Sequence, residues 1–202
     1  MIKLYHAART RSVRPRWLLE EMGVPYELVR LDLGQKEHKR PEYLAIHPHG
    51  TVPALVDGNL ALMESSAICM YLADKFADKG MAPNPGTPER GLYYQWMVYA
   101  VATLEPPLVQ IFQHTMLLPE AERSPKALQE AQEKFREVAR VLTEALQGKD
   151  YLVGNRFTAA DIMIGSTLIW AALMGLLADQ PVLATYVQRL QERPACQKAQ
   201  AD

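Results

Sequence analysis

The chain has 202 residues, 49% of them hydrophobic and 22% charged, with a formal net charge of −1. That is an ordinary globular composition, long enough for one large domain or two modest ones, and the charge gives no drive toward nucleic acid or an anionic membrane. The two cysteines, Cys69 and Cys196, lie far apart with no CxxC pair, which argues against a disulfide framework or a thiolate zinc site.

The opening residues Met1-Ile2-Lys3-Leu4-Tyr5-His6 lack the apolar run of a signal peptide and go straight into strand-like sequence, so a soluble cytoplasmic protein is expected. Residues 14–22 carry Trp17, Leu18, Leu19 and Met22 at helical spacing and are closed by Gly23. Residues 26–31 read as a second strand, and a weak helix is expected over 41–46. Residues 53–63 read as a hairpin turning at Asp57-Gly58. Ala67, Ile68, Tyr71, Leu72 and Phe76 then mark another helix. The order β-α-β-α-β-β-α predicts a four-stranded mixed sheet, because the first two strands need a crossover and the last two form a hairpin.

Residues 81–88 hold Pro83, Pro85, Gly86 and Pro88 and read as a linker between a domain over 1–80 and an all-helical domain over 89–202. The first helix beyond it, over 92–118, is expected to bend at Pro106-Pro107. Leu128, Ala131, Phe135, Val138, Leu142 and Ala145 form the apolar stripe of a second. The third, over 162–178, is apolar on all sides. It contains Gly165, Ser166, Thr167 and Gly175 without basic flanks, so it reads as a buried core helix and not a membrane span. Thr158-Ala159-Ala160-Asp161 forms a capping box at its start, with Phe157 and Ile162 as a staple, so Asp161 is given a structural role. A fourth helix is expected over 182–192.

The most informative segment is Thr51-Val52-Pro53-Ala54-Leu55, followed by Met63-Glu64-Ser65-Ser66. It sets a proline at the head of a strand and an acid with two hydroxyls at the head of a helix. Val52 can offer its backbone to an extended peptide. Ser65, Ser66 and the free amides of the helix start can hold a carboxylate, and Glu64 can pair with an amine. Glutathione has those groups.

The whole chain resembles the cytosolic glutathione transferases. The resemblance is carried by residues 17–27 (WLLEEMGVPYE), 47–55 (HPHGTVPAL), 64–68 (ESSAI) and 155–161 (NRFTAAD), in this order and spacing. It implies a thioredoxin-like first domain, a cis peptide before Pro53, and a homodimer in which the helical domain meets the second substrate and contributes dimer contacts. It also implies detoxification chemistry with glutathione as cosubstrate. His38, after the second strand, falls where related enzymes place a polar residue on the glycine carboxylate, and His49 is a further candidate.

Members of the family place a tyrosine, serine or cysteine between the first strand and the first helix. Here that loop runs Tyr5-His6-Ala7-Ala8-Arg9-Thr10-Arg11-Ser12-Val13-Arg14 and has no cysteine, so three hydroxyls remain. A thiol with a pKa near ~8.5 is only a few per cent thiolate at neutral pH. Lowering it by roughly two units needs about 2.7 kcal/mol in favour of the anion. A hydroxyl donor to a charged acceptor supplies about 1.5–3 kcal/mol and a helix N-terminus about 0.3–1 kcal/mol. Ser12, nearest the helix start, is the first candidate and Thr10 the second, while Tyr5 reads as strand filler. Among Arg9, Arg11, Arg14 and Arg16, Arg11 is expected to touch the ligand and most of the others to be solvated.

The five histidines show no metal-ligand spacing, and no metal or tightly bound cofactor is expected. Tyr99, Phe112, Met116 and Trp170 are candidates for an apolar pocket. The expected reaction joins the glutathione thiolate to a small electrophilic, largely apolar compound, held by Val52, Pro53, Glu64 and Ser65. Two other classes stay open: a glutathione-dependent peroxidase or disulfide reductase, and a non-catalytic binding module.

Overall fold

The computed structural model describes residues 1–201. Strand β1 (Ile2–His6) buries Ile2, Leu4 and His6 on one face and half-covers Lys3 and Tyr5 on the other, the two-residue alternation of a pleated strand. A crossover through helix α1 (Val13–Met22) brings β2 (Tyr26–Arg30) parallel to β1, with Leu4 opposite Leu28. After the short helix α2 (Pro41–Leu44), β3 (Ala54–Asp57) runs antiparallel to β1 on its other side. β4 (Leu60–Met63) pairs with β3 and leads into α3 (Ser65–Lys75). The order β2-β1-β3-β4 is the thioredoxin-like mixed sheet that the sequence predicts. Its core is Leu4 and Leu55 from the sheet, Trp17 and Leu18 from α1, and Ile68 and Leu72 from α3, all fully buried.

The hairpin turns one residue later than the sequence suggests. Asp57 pairs with Leu60, so the two loop residues are Gly58 and Asn59. Gly58 takes φ 60°, the positive value that the first loop position requires and that a side chain would disfavour. Asp57 instead serves α3, accepting from the Tyr71 hydroxyl at 2.7 Å and from the Lys75 ammonium.

Helix α4 (Pro88–Tyr99) starts inside the expected linker. Thr87 caps it by accepting from the Arg90 amide, and Pro88 sits in the first turn, where its missing amide leaves no hydrogen bond broken. The helical backbone continues through a π turn (Ala100–Leu104), α5 (Glu105–Phe112) and a second π turn (Gln113–Leu117). The first wide turn directly precedes Pro106-Pro107. The disturbance expected at the prolines therefore takes the form of a shifted hydrogen-bond register. Helix α6 (Pro125–Leu146) buries the predicted stripe at Ala131, Phe135, Val138 and Leu142, with Leu146 in place of Ala145.

Helix α7 (Ala159–Leu173) is buried along most of its length and ends earlier than expected, with Leu173 exposed and Gly175 at φ 75°. Its capping box is present. Asp161 accepts from the Thr158 amide at 2.9 Å and hydroxyl at 3.1 Å, the Leu152 amide at 3.0 Å and the Tyr186 hydroxyl at 2.9 Å. Among the described residues, no helix is long and apolar enough to cross a membrane.

Helix α8 (Pro181–Gln191) is followed by α9 (Pro194–Gln200), which the sequence reading does not anticipate. The chain forms two compact units, one of Met1–Ala82 with the residues from Gln191 onward, the other Pro83–Leu190. The division differs from a helical domain over 89–202 because α9 packs on α1. Arg193 clasps the Glu21 carboxylate with Nε at 2.6 Å and Nη2 at 2.8 Å, and Lys198 reaches Glu20 at 2.7 Å.

Candidate active site

Strand register brings three of the predicted segments to one end of the sheet. Tyr5 of β1 lies opposite Ala54 of β3, and Ala54 lies opposite Met63 of β4. The loop leaving β1, the Val52-Pro53 peptide entering β3 and the Glu64-Ser65 entry to α3 are therefore neighbours. The Val52-Pro53 bond is cis. Glu64 takes φ 70° and ψ 114°, a strained backbone for a residue with a Cβ, and this leaves its exposed side chain just ahead of the first α3 amides. Arg14 Nη1 donates to Ser65 Oγ at 3.1 Å, tying α1 to α3.

The loop after β1 is ordered from within. Ser12 is fully buried and its hydroxyl does not cap α1. Ser12 Oγ instead meets His6 Nδ1 at 2.7 Å and Thr10 Oγ1 at 2.7 Å. It also accepts from the Ala7 amide at 3.2 Å and lies 3.1 Å from the Ala7 carbonyl. Thr10, half-buried, donates to the Ala7 carbonyl at 2.7 Å. His6 Nε2 lies 3.3 Å from Arg16 Nη1. Arg11 is exposed on the same loop.

The segment between β2 and β3 holds the Val52 peptide from behind. Tyr43 donates its hydroxyl to the Thr51 carbonyl, and His47 Nε2 lies 3.0 Å from Thr51 Oγ1. Burial, with the like charge of His49, pushes the His47 imidazole below its ordinary range. Gly50, at φ 55°, is pressed against the chain, since a Cβ there would come within 2.5 Å of the His38 carbonyl. Lys39 Nζ donates to the carbonyls of His49 and Gly50 at 2.9 Å each. His38 and His49 are thereby held on one folded segment, His38 half-buried and His49 exposed. Among the described residues, no cluster of histidine, cysteine and acidic side chains is arranged to hold a metal ion.

Residues 1–74 match the family model for the glutathione S-transferase N-terminal domain, and residues 104–194 the model for the C-terminal domain. The chain belongs to the glutathione S-transferase family. It is 35% identical over 168 residues to glutathione S-transferase F9 of Arabidopsis thaliana, covering 80% of this chain and 77% of that protein. It is 31% identical over 207 residues to disulfide-bond oxidoreductase YfcG of Escherichia coli (strain K12), covering 98% of this chain and 94% of that one. The crystal structure of glutathione transferase URE2P6 from Phanerochaete chrysosporium, in complex with oxidized glutathione, matches with a TM-score of 0.87 at 30% identity. It covers 98% of this chain and 94% of that one.

In this glutathione S-transferase, two sequence expectations about charge need correction. Arg14 and Arg16 are buried, not solvated, because each has a partner inside the fold, Ser65 for the first and His6 for the second. The sequence reading gave His6 no part in the site. Its signal is the β1 alternation, which sets His6 on the same inner face as Ile2 and Leu4. Tyr5 points the other way, its ring 5.3 Å from that of Tyr43, as a strand filler would. Of the four aromatic-pocket candidates, Phe112 and Trp170 pair edge to face at 5.7 Å, whereas Met116 is largely exposed and Tyr99 packs on Trp96. Both cysteines are buried, which pushes the Cys69 thiol up to about 12 and the Cys196 thiol up to about 11. Neither is a ready nucleophile at neutral pH.

Proposed function

We propose that this glutathione S-transferase binds glutathione at the end of its sheet and conjugates the sulfur to small, largely apolar electrophiles. The observation that carries the proposal is the meeting of three features at one sheet end: the Thr10–Ser12 hydroxyls, the cis Val52-Pro53 peptide and the Glu64-Ser65 helix entry. The Val52 backbone pairs with the tripeptide. Ser65 and the α3 amides take its γ-glutamyl carboxylate, and Glu64 takes the amine. Arg11, His38 and His49 serve the remaining charges.

The thiol gives up its proton to solvent, and the thiolate is held by hydroxyl donation from the Thr10–Ser12 pair. It then attacks the electrophilic carbon, forming a C–S bond while the leaving group departs with its electron pair. We also infer a homodimer in the cytoplasm, acting in detoxification. Leu92 and Val98 on α4 are 46% and 54% exposed, which favours a covered face.

A second reading, glutathione-dependent disulfide reduction, is favoured by the likeness to YfcG across nearly the whole chain. The bound thiolate would attack a disulfide sulfur, forming a new disulfide with glutathione and expelling the other sulfur as a thiolate that takes a proton from solvent, without a protein cysteine. A parallel assay with glutathione and an aryl halide, a hydroperoxide or a mixed disulfide separates the readings. Conjugation of the halide is expected. Turnover of the disulfide alone would replace the transferase reading with the second. No turnover of any, with no retention on immobilised glutathione, would sink both.

A further inference from the structure

The loop network has a direction, and the direction decides which hydroxyl meets the sulfur. A guanidinium carries donors only, so the 3.3 Å contact from Arg16 Nη1 requires His6 Nε2 to present its lone pair. His6 is then neutral with its proton on Nδ1, and that N–H donates to Ser12 Oγ at 2.7 Å. The Ala7 amide also donates to Ser12 Oγ, at 3.2 Å. Both acceptor positions of the Ser12 hydroxyl are thereby occupied, and it has one proton to give. Two acceptors remain for that proton, Thr10 Oγ1 at 2.7 Å and the Ala7 carbonyl at 3.1 Å; Thr10 is the nearer, and the Ala7 carbonyl already accepts from Thr10 at 2.7 Å. Thr10 in turn donates its own proton to the Ala7 carbonyl at 2.7 Å.

We propose that His6 is a positioning residue, locked by Arg16 as its Nδ1–H tautomer. It commits the buried Ser12 to donate to Thr10, so that Thr10 and not Ser12 presents its hydroxyl to the glutathione sulfur. Ser12, with no exposed surface, reaches no ligand unless the loop unfolds, whereas Thr10 stands half-exposed at the open end of the chain. All donors from Arg16 to Thr10 point the same way. Each bond polarises the next, and the row leads from a buried cation to the place of a developing anion. When the thiolate arrives, the Thr10 O–H turns from the Ala7 carbonyl to the sulfur while still accepting from Ser12. This inference rests on the glutathione reading above for the sulfur, but not for the tautomer.

Two measurements test it. Imidazole nitrogen shifts of His6 by NMR, in protein without glutathione, report the tautomer directly. A proton on Nδ1 is expected, and a proton on Nε2 overturns the lock whatever the ligand. The apparent pKa of the bound glutathione thiol, followed by thiolate absorbance against pH, reports the donor. Thr10→Val is expected to reduce the thiolate fraction near neutral pH about tenfold, the loss of one charge-assisted hydrogen bond. Ser12→Ala should lower it less, because Thr10 can still donate. The reverse order would make Ser12 the donor and overturn the assignment. His6→Leu should shift the thiol pKa upward, and His6→Asn, which keeps a donor near the Nδ1 position, should restore part of the shift. Equal values for the two His6 variants would reduce His6 to packing. Wild type that fails to bind glutathione in calorimetry would reject the ligand reading, leaving the NMR result to judge the tautomer.

Discussion

Two buried polar networks in this protein use similar side chains to opposite ends. Around Asp161, four donors converge on one carboxylate, and every partner is inside the helical unit. Around Ser12 the bonds run in sequence from Arg16 through His6 to Thr10, and the last hydroxyl is half-exposed. A network that closes on itself stabilises the fold and has nothing left to offer a ligand. One that ends at the surface keeps a final donor that can turn from its internal acceptor to a ligand, which is what a binding site needs. Burial pushes the Asp161 carboxyl above its usual range, and its four donors act against that shift, so the site depends on every one of them.

The largest effect expected follows from opening the closed network. Asp161→Ala leaves the Leu152 amide and the Tyr186 hydroxyl without their acceptor and removes half of the α7 capping box. The cost should be about 3 kcal/mol or more, or roughly 10 °C in Tm. Catalytic efficiency per folded molecule should be unchanged; a fall in kcat/KM measured on the folded fraction would break the comparison. Thr10→Val, by contrast, should impair chemistry while barely moving the melting curve.

Arg193→Ala removes the two-pronged clasp on Glu21, a carboxylate that also accepts from Trp17 Nε1 at 2.9 Å. A loss of about 1.5 kcal/mol is expected in urea titration. Since Glu21 sits on the helix that carries Arg16, a modest change in thiol pKa should accompany it. Tyr186→Phe takes away only one of four donors and should cost about 1 kcal/mol, with no catalytic phenotype.

The smallest effect is one of pH. Burial holds the folded-state value of His47 below its ordinary value near ~6.5. Between the folded value and the ordinary one, the unfolded chain binds more protons than the folded one. Stability therefore rises with pH through that window and is lost as pH falls through it. Urea midpoints taken from about pH 7 down to about pH 5 should decline, and His47→Gln should flatten the decline. An unchanged slope in the variant would assign the acid sensitivity to other groups.

Much of this was legible from the chain because it is encoded locally. Gly23 ends α1 at φ 62°, the Thr158–Asp161 pair opens α7, and the alternation of strand and helix signals gives the sheet. The cis peptide at Val52-Pro53 followed from the family resemblance alone. The remainder depends on residues brought together only by folding. Four arginines close in sequence suggest a solvated surface, because their partners lie on β1 and α3 and cannot be seen from spacing. In the sequence His6 is one of five histidines without metal-ligand spacing, and only folding sets it against Arg16 of α1. Helix α9 lacks a strong apolar stripe, and ion pairs to α1 provide part of its docking. The thioredoxin-like half was therefore readable as architecture, and its site only as a set of segments.

The return of α9 to α1 also bears on how the protein is made. The first unit is composed of residues from both ends of the chain, with the whole of the second unit synthesised in between. While a ribosome is translating the helical half, β1 to α3 can already pair and bury their core, but α1 lacks the clasp that Arg193 and Lys198 supply. The half that carries the candidate catalytic loop begins to form first and is completed last, so synthesis of the whole second unit separates its collapse from its final ordering.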